Sequence, residues 1–377
     1  MPSGFASINR RVLTVALIVA LPILILGARF VVENGQGRVR DAEVLRLGQV
    51  ADHIASTADA YVFRRIVDAA VIARVPEVRK AAADSTRAAV DAKRTAELDA
   101  RWQKERKLPA ELSGLLSNPA AKFFADVAKQ DALYREILLA DRHGRLAAAS
   151  QTTSDYDQSD EGWFIQALDD GRRGRISVGD VRRDESADVY AFDISVPVVD
   201  LQSDELVGIM KIVASSQEML QGIGGLELGT TGQVMLIRED GSIVFSRQAA
   251  VPGARFFGAD ILREQLAAAR DDPQARITFR ARSSDGTDRV VAVARSRLRD
   301  TFPNLTWLIA VSMAEDELLQ PFRPMVWSLL TVIGLTLIAV LAVALWASVR
   351  LARPALDPSL DMHLVEHPAP HRIGEDQ

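Results

Sequence analysis

Two long apolar runs limit what this chain can be more than any other feature. An α-helix needs about 20 apolar residues to cross the hydrocarbon core of a bilayer. The first run, Val12 to Ala28, reads VLTVALIVALPILILGA; it carries no charge and follows Arg10 and Arg11. It reaches spanning length by taking in Phe30, Val31 and Val32 beyond Arg29, whose aliphatic stem lets the charged head reach the interface. Pro22 is tolerated in such a helix. A cleaved signal peptide is the rival reading, but Leu26-Gly27-Ala28 is a poor small-x-small cleavage site. The run is therefore read as a transmembrane helix over 12–32. The second run, over 325–349, reads MVWSLLTVIGLTLIAVLAVALWASV, with Trp327 and Trp346 near its ends, where amphipathic rings favour the membrane interface.

Charge sets the expected topology. Arg10 and Arg11 precede the first run, and Arg350 and Arg353 follow the second, outweighing Arg323 on the other side. The positive-inside rule then places 1–11 and the tail, 350–377, in the cytoplasm. The intervening segment lies outside it, in the periplasm of a didermal bacterium. The expected location is thus the inner membrane, multi-pass, with the lipid bilayer as a partner. The tail is too short to fold alone, and its four prolines and mixed charge suit disorder.

A formal charge of −5 over 377 residues speaks against nucleic acid as a partner. The absence of cysteine excludes disulfides, thiolate metal sites and a cysteine nucleophile. No G-x-S-x-G elbow, phosphate loop, H-E-x-x-H or dinucleotide turn is present. Neither an enzyme nor a cofactor is expected. His363, His367 and His371 recur every four residues, but Pro368 and Pro370 break the helix that would align them on a metal.

Within the extracytoplasmic segment, Asn34-Gly35-Gln36-Gly37 is a candidate hinge. From Arg38 to Lys104 apolar residues recur at helical spacing (Val44, Leu45, Leu47, Val50, Ile54, Ala58, Tyr61, Val62, Ile66), with a break at Pro76. Two hairpin signals follow, 136–149 and 233–246, whose turn glycines Gly144 and Gly241 are 97 positions apart. Two strands, 209–215 and 307–312, run into S-x-x-E boxes at Ser215 and Ser312, again 97 apart. Two landmarks at one interval predict tandem modules of one design. A short helical stretch, Met313 to Phe322, then leads into the second span.

These features, with Ile72-Ala-Arg-Val-Pro-Glu-Val, Gly162-Trp163-Phe164, Ile194-Ser-Val-Pro-Val198, Leu206-Val-Gly-Ile-Met-Lys-Ile, Thr231-Gly-Gln-Val-Met-Leu-Ile and Asn304-Leu-Thr-Trp-Leu-Ile, give a sequence that resembles the double Cache family of bacterial sensor ectodomains. The resemblance covers about Arg38 to Phe322. It implies an α+β fold of two tandem PAS-like modules on a long N-terminal helix: a helical stalk over 33–106, a membrane-distal module over 107–222 that holds the ligand, and a membrane-proximal module over 223–322. Family members that bind amino acids carry a Tyr, an Arg five positions on, a Trp two further, and an Asp on a late strand. Here the register gives Tyr156, Glu161 and Trp163, and the Asp position falls near Val213. The clamp for a free amino acid is therefore expected to be missing, and Glu161 would favour an amine or other cationic ligand unless it faces solvent.

Candidate ligand-binding residues are Tyr156, Glu161, Trp163, Phe164, Asp180, Arg183, Tyr190, Asp193 and Lys211. Trp163 and Phe164 open a helix and serve either as pocket wall or as core. Asp180, Arg182, Arg183, Asp184 and Glu185 read as a solvated loop, one or two of which rim the pocket. Alternation puts Tyr190 and Asp193 on opposite faces of one strand, and Lys211 interrupts an apolar one. The expected function is a membrane-anchored sensor for a small extracytoplasmic molecule. It would act as a homodimer and signal through a separate partner. The alternatives are a tethered protein-interaction domain without ligand, or the remnant of a longer chemoreceptor or sensor kinase.

Overall fold

The computed structural model describes residues 10–169, 171–184, 189–247, 253–270, 272 and 275–351. The tail histidines, Glu185 and most of the segment after the second apolar run lie outside these residues. The chain divides into two units, one of 1–39 with 319–377 and one of Arg40–Leu318.

The first unit holds the apolar runs. Helix α1 spans Arg10–Ile72, and α9 spans Arg323–Leu351. Both are long and apolar enough to cross a membrane. The hinge expected at Asn34–Gly37 is not there, because α1 runs through it without a break. Two glycines cost a helix only about 1 kcal/mol each, and Gly35 has a packing role: a Cβ there would lie 2.6 Å from the Phe322 ring.

The second unit begins with the rest of α1. Its buried face (Leu47, Ala51, Ile54, Ala58, Val62, Ile66, Ala69) keeps three- and four-residue spacing, and packs into one apolar core with residues of both sheets below. The region expected to be a stalk is thus half core. Val75 is extended and Pro76 opens α2 (Pro76–Arg87), since proline lacks only an N–H that the first helical turn would leave unpaired. Next come α3 (Ala92–Glu105), capped by Asp91, and α4 (Pro119–Gln130), capped by Asn118.

The first sheet, in the module expected above to be membrane-distal, contains β1 (Tyr134–Asp141), β2 (Leu146–Ala149), β3 (Ser177–Val178), β4 (Arg182–Asp184), β5 (Val189–Val199) and β6 (Leu206–Ser215), with α5 (Gly162–Leu168) between β2 and β3. After α6 (Gln217–Gly224), the proximal sheet contains β7 (Gln233–Arg238), β8 (Ile243–Ser246), β9 (Ile277–Arg282), β10 (Asp288–Arg295) and β11 (Trp307–Ala314), with α7 (Ala259–Ala268) between β8 and β9. Strand order is β2-β1-β6-β5-β3 in the first sheet, where β4 also pairs with β5, and β8-β7-β11-β10-β9 in the second. The two sheets have one topology, which is what the 97-residue interval encodes. Both hairpins turn on a left-handed glycine, Gly144 at φ +87° and Gly241 at φ +84°. Side chains there would also strike Ser159 and Ala259.

The two S-x-x-E boxes do not form as expected. Helix α6 is capped at Ser216 without a side-chain bond, while Ser215 Oγ accepts from Gln217 N–H at 3.3 Å. Ser312 lies fully buried inside β11, where its Oγ accepts from Arg289 Nε at 3.2 Å. The strand holds two residues longer than the box implied, and α8 (Glu315–Leu318) starts only after it. In the distal hairpin Asp141 and Arg145 form a buried ion pair at 2.7 Å. Arg145 also donates to the Ser85, Ala88 and Ala89 carbonyls, tying the turn to the end of α2.

Candidate ligand-binding site

Period-two alternation decides which distal residues share a surface. Asp193 stands opposite Val213, Ser195 opposite Lys211, and Glu136 opposite Val213. Glu136, Asp193, Ser195 and Lys211 therefore project from one sheet face. The opposite face (Ile137, Leu139, Phe192, Ile194, Met210, Ile212) is in the core with α1. On the polar face, a cavity of about 170 Å³ opens between the sheet and α5, lined by Glu161, Gly162, Trp163, Gln166, Ser177, Gly179, Arg182, Asp193, Ser195 and Lys211.

Each part of the lining has a structural source. Trp163 is buried, packs edge-on to Phe164 with ring centroids 5.7 Å apart, and supports Lys211, whose Nζ lies 5.3 Å from its ring centroid. Its indole N–H is buried without a partner among the described residues. A buried unpaired donor costs about 1–3 kcal/mol. Gly179 comes close to β5: its N–H donates to the Asp193 carbonyl at 2.8 Å, and a Cβ would lie 3.3 Å from Asp193 Cβ. Arg182, Lys211 and Trp163 offer donors; Asp193 and Glu161 offer carboxylates. Glu136, just beyond the lining, has its carboxyl pushed up by burial, with Lys211 opposing and the Asp193 charge adding to the rise.

Two lining segments are bonded directly to the proximal sheet. Asp180, next to Gly179, accepts from Arg238 Nε at 2.5 Å and from Trp307 Nε1 at 2.6 Å. The Gln166 side-chain oxygen accepts from Ser177 Oγ at 3.1 Å and from Asn304 Nδ2 at 2.9 Å. Trp307 opens β11, and Asn304 lies just ahead of it.

The Cache-domain family model matches residues 46–322. The chain belongs to the Cache-domain family. Among solved structures, this Cache chain is similar to the sensor domain of the V. cholerae histidine kinase DctB (13% identity, TM-score 0.46, covering 73% of this chain and 98% of that one). It is also similar to the ligand-binding domain of the Pseudomonas fluorescens chemoreceptor CtaA in complex with L-serine (16% identity, TM-score 0.44, covering 74% and 99%). A third is the ligand-binding domain of the Pseudomonas aeruginosa amino acid chemoreceptor PctB in complex with L-Arg (14% identity, TM-score 0.43, covering 73% and 95%). A search of curated proteins gave no match.

Of the nine residues singled out in this Cache sequence, Glu161, Trp163, Asp193 and Lys211 line the cavity. The other five do not. Tyr156 packs beside Trp102, Leu138 and Leu146, where burial pushes its phenol up. Phe164 is core, against Ala140 and Ile209. Asp180 serves the seam to the proximal sheet. Tyr190 is on the core face of β5, edge-on to Phe245 with centroids 5.8 Å apart. Arg183 pairs in register with Tyr190, so alternation turns it away and gives the cavity Arg182 instead. Arg182 belongs to the charged stretch expected to supply one or two rim residues, whereas Gly162, Gln166, Ser177, Gly179 and Ser195 were not among the candidates. Gln166 was within reach, one helical turn from Trp163, as was Ser195, two residues from Asp193. Ser177 opens a strand of two residues, too short to leave a pattern, and Gly179 directly follows it.

Proposed function

We propose that this chain is a membrane-anchored sensor whose distal module binds a small dipolar molecule. In this reading Arg182 and Lys211 take an anionic or acceptor group of the ligand, and Asp193 and Glu161 face a positive or donor group. The observation that carries it is a cavity between the sheet and α5 lined by charged residues of both signs. Its volume lies below the roughly 300–1,000 Å³ of drug-sized sites, which suits a compound the size of an amino acid. Glu161 alone would favour a cation; Arg182 and Lys211 in the same lining offset it.

Transmission is supported by the seam. A ligand that prefers one arrangement of the Gly179–Arg182 segment shifts the population toward it, and Asp180 and Gln166 carry that preference to Trp307 and Asn304. From Trp307 the chain runs through β11 and α8 into the second apolar helix, on toward a signalling partner. The two apolar helices act as membrane spans, with the domain outside the cytoplasm and both termini within, as the flanking arginines favour. Exposed Phe63, Val67 and Val71 on α1 recur every four residues, the pattern of a helix face that pairs with a second copy.

The test is a thermal-shift screen of residues 40–318 against amino acids, polyamines, quaternary amines, organic acids and purines. A ligand at a hundredfold excess over Kd stabilises by about 2.7 kcal/mol. Lys211→Met and Asp193→Asn should each abolish the response. A folded domain that responds to nothing, or a hit indifferent to both substitutions, would sink the proposal.

A further inference from the structure

The proximal module carries the larger concavity, about 750 Å³, away from the distal cavity and independent of the reading given to it. Among the described residues its lining is strongly basic: Arg263, Arg270, Arg276, Arg295, Arg297 and Arg299, against Asp52, Glu239 and Asp300. These arginines come from separate segments: α7 and its end, the approach to β9, and the end of β10 with the turn after it. The segment after β10 is held in place, since Asp59 of α1 accepts from Ser296 Oγ at 2.6 Å and from Arg297 N–H at 2.8 Å.

Among the described residues, part of this charge has no acidic partner. Glu239 is taken by Arg299, and Asp260 is shared between Arg255 and Arg263. Among the described residues, Arg270 and Arg276 make no ion pair. Arg295 spends its terminal nitrogens on the Ala269 carbonyl at 3.4 and 3.5 Å, while its Nε is buried with no partner. Like charges gathered in one lining repel one another. An anionic occupant offsets that repulsion. Guanidinium forks bind carboxylate and phosphate oxygens in pairs, with charge-assisted hydrogen bonds. Leu266, Ala267, Val293 and Ala294 give the same hollow an apolar wall, and its volume falls within the roughly 300–1,000 Å³ of small-molecule sites.

We propose that this concavity is a second ligand site, specific for a small polyanion bearing two or more phosphate or carboxylate groups. The anion sits between the end of α7, the approach to β9 and the end of β10, and its oxygens accept from the exposed Arg270 and Arg276.

The experiment is isothermal titration of the full chain, in an uncharged detergent, with inorganic tripolyphosphate and with citrate, holding ionic strength constant with NaCl. Saturable binding at one site per chain is expected for at least one of them. Arg270→Glu with Arg276→Glu, both exposed positions, should weaken it about tenfold or more; Arg270→Lys with Arg276→Lys should retain most of the affinity. Repeating the titration in nanodiscs of zwitterionic and of anionic lipid separates the sources of the ligand chemistry. Loss of binding only in anionic discs identifies a lipid headgroup as the natural occupant, and equal binding in both identifies a soluble anion. The proposal is overturned by the absence of saturable binding to either anion at millimolar concentration. Affinity unchanged in the folded double glutamate variant overturns it equally.

Discussion

Replacing Asp180 by alanine tests the seam between the two modules. Its carboxylate accepts from Trp307 Nε1 at 2.6 Å and from Arg238 Nε at 2.5 Å. Trp307 is 3% exposed, so Asp180→Ala leaves a buried indole donor unpaired, at about 1–3 kcal/mol. The Arg238 pair is partly open to solvent on both sides and after screening adds up to about 1 kcal/mol. The expected loss is therefore about 1–4 kcal/mol. Asp180→Asn keeps an acceptor for Trp307 and should cost less than half of that. The assay is urea unfolding of residues 40–318, followed by tryptophan fluorescence. A double-mutant cycle with Arg238→Gln isolates the ion pair, whose coupling should be at least about 0.5 kcal/mol, the usual floor for residues in contact. Because Asp180 does not line the cavity, Asp180→Ala should leave ligand affinity nearly unchanged while removing any ligand-induced change in Trp307 emission. A loss of stability below about 0.5 kcal/mol, the range of ordinary surface substitutions, would refute the seam.

Four further outcomes are expected. Asp141→Ala strands the buried Arg145 charge and should destabilise the distal module by about 3–5 kcal/mol, read by the same unfolding assay. Glu136 has a raised carboxyl pKa in the folded state, so its contribution is fully present below the unfolded value and lost as pH rises through the folded one; Glu136→Gln should raise the melting temperature at pH 7 and lose that advantage at pH 4. For Glu317, burial works toward a higher pKa, but four hydrogen bonds from Thr230 and Thr231 bring it down to about 2. Its contribution holds above the ordinary carboxylate range and is lost as pH falls through about 2, so the acid limb of a stability profile should flatten in Glu317→Gln. Since the chain has no cysteine, Val67→Cys gives a clean report on pairing along α1, and oxidation in membranes should yield a disulfide-linked dimer; a chain that stays monomeric refutes that interface.

The local grammar of the fold was readable in the chain. The apolar runs are single segments whose composition alone makes them long apolar helices. Pro76 breaks the first long helix because a proline removes a donor wherever it stands, and Gly144 and Gly241 mark hairpins because only glycine takes a left-handed φ without strain. The paired interval between those turns announced two modules of one design. The sequence misled where a local signal competed with a distant partner. Ser312 looks like a helix cap but is held in β11 by Arg289, and Asn34–Gly37 looks like a hinge but Gly35 packs against Phe322. The cavity lay further out of reach. Its Arg182, Asp193 and Lys211 come from three strands, and what brings them together is register: Asp193 opposite Val213, Lys211 opposite Ser195, Arg183 opposite Tyr190. A shift of one residue in any pairing would turn those charges into the core. Hydrogen bonds between strands distant in the chain fix that choice. The sequence by itself therefore determined which segments are helix, strand and apolar run, and only the tertiary structure decided which charges meet.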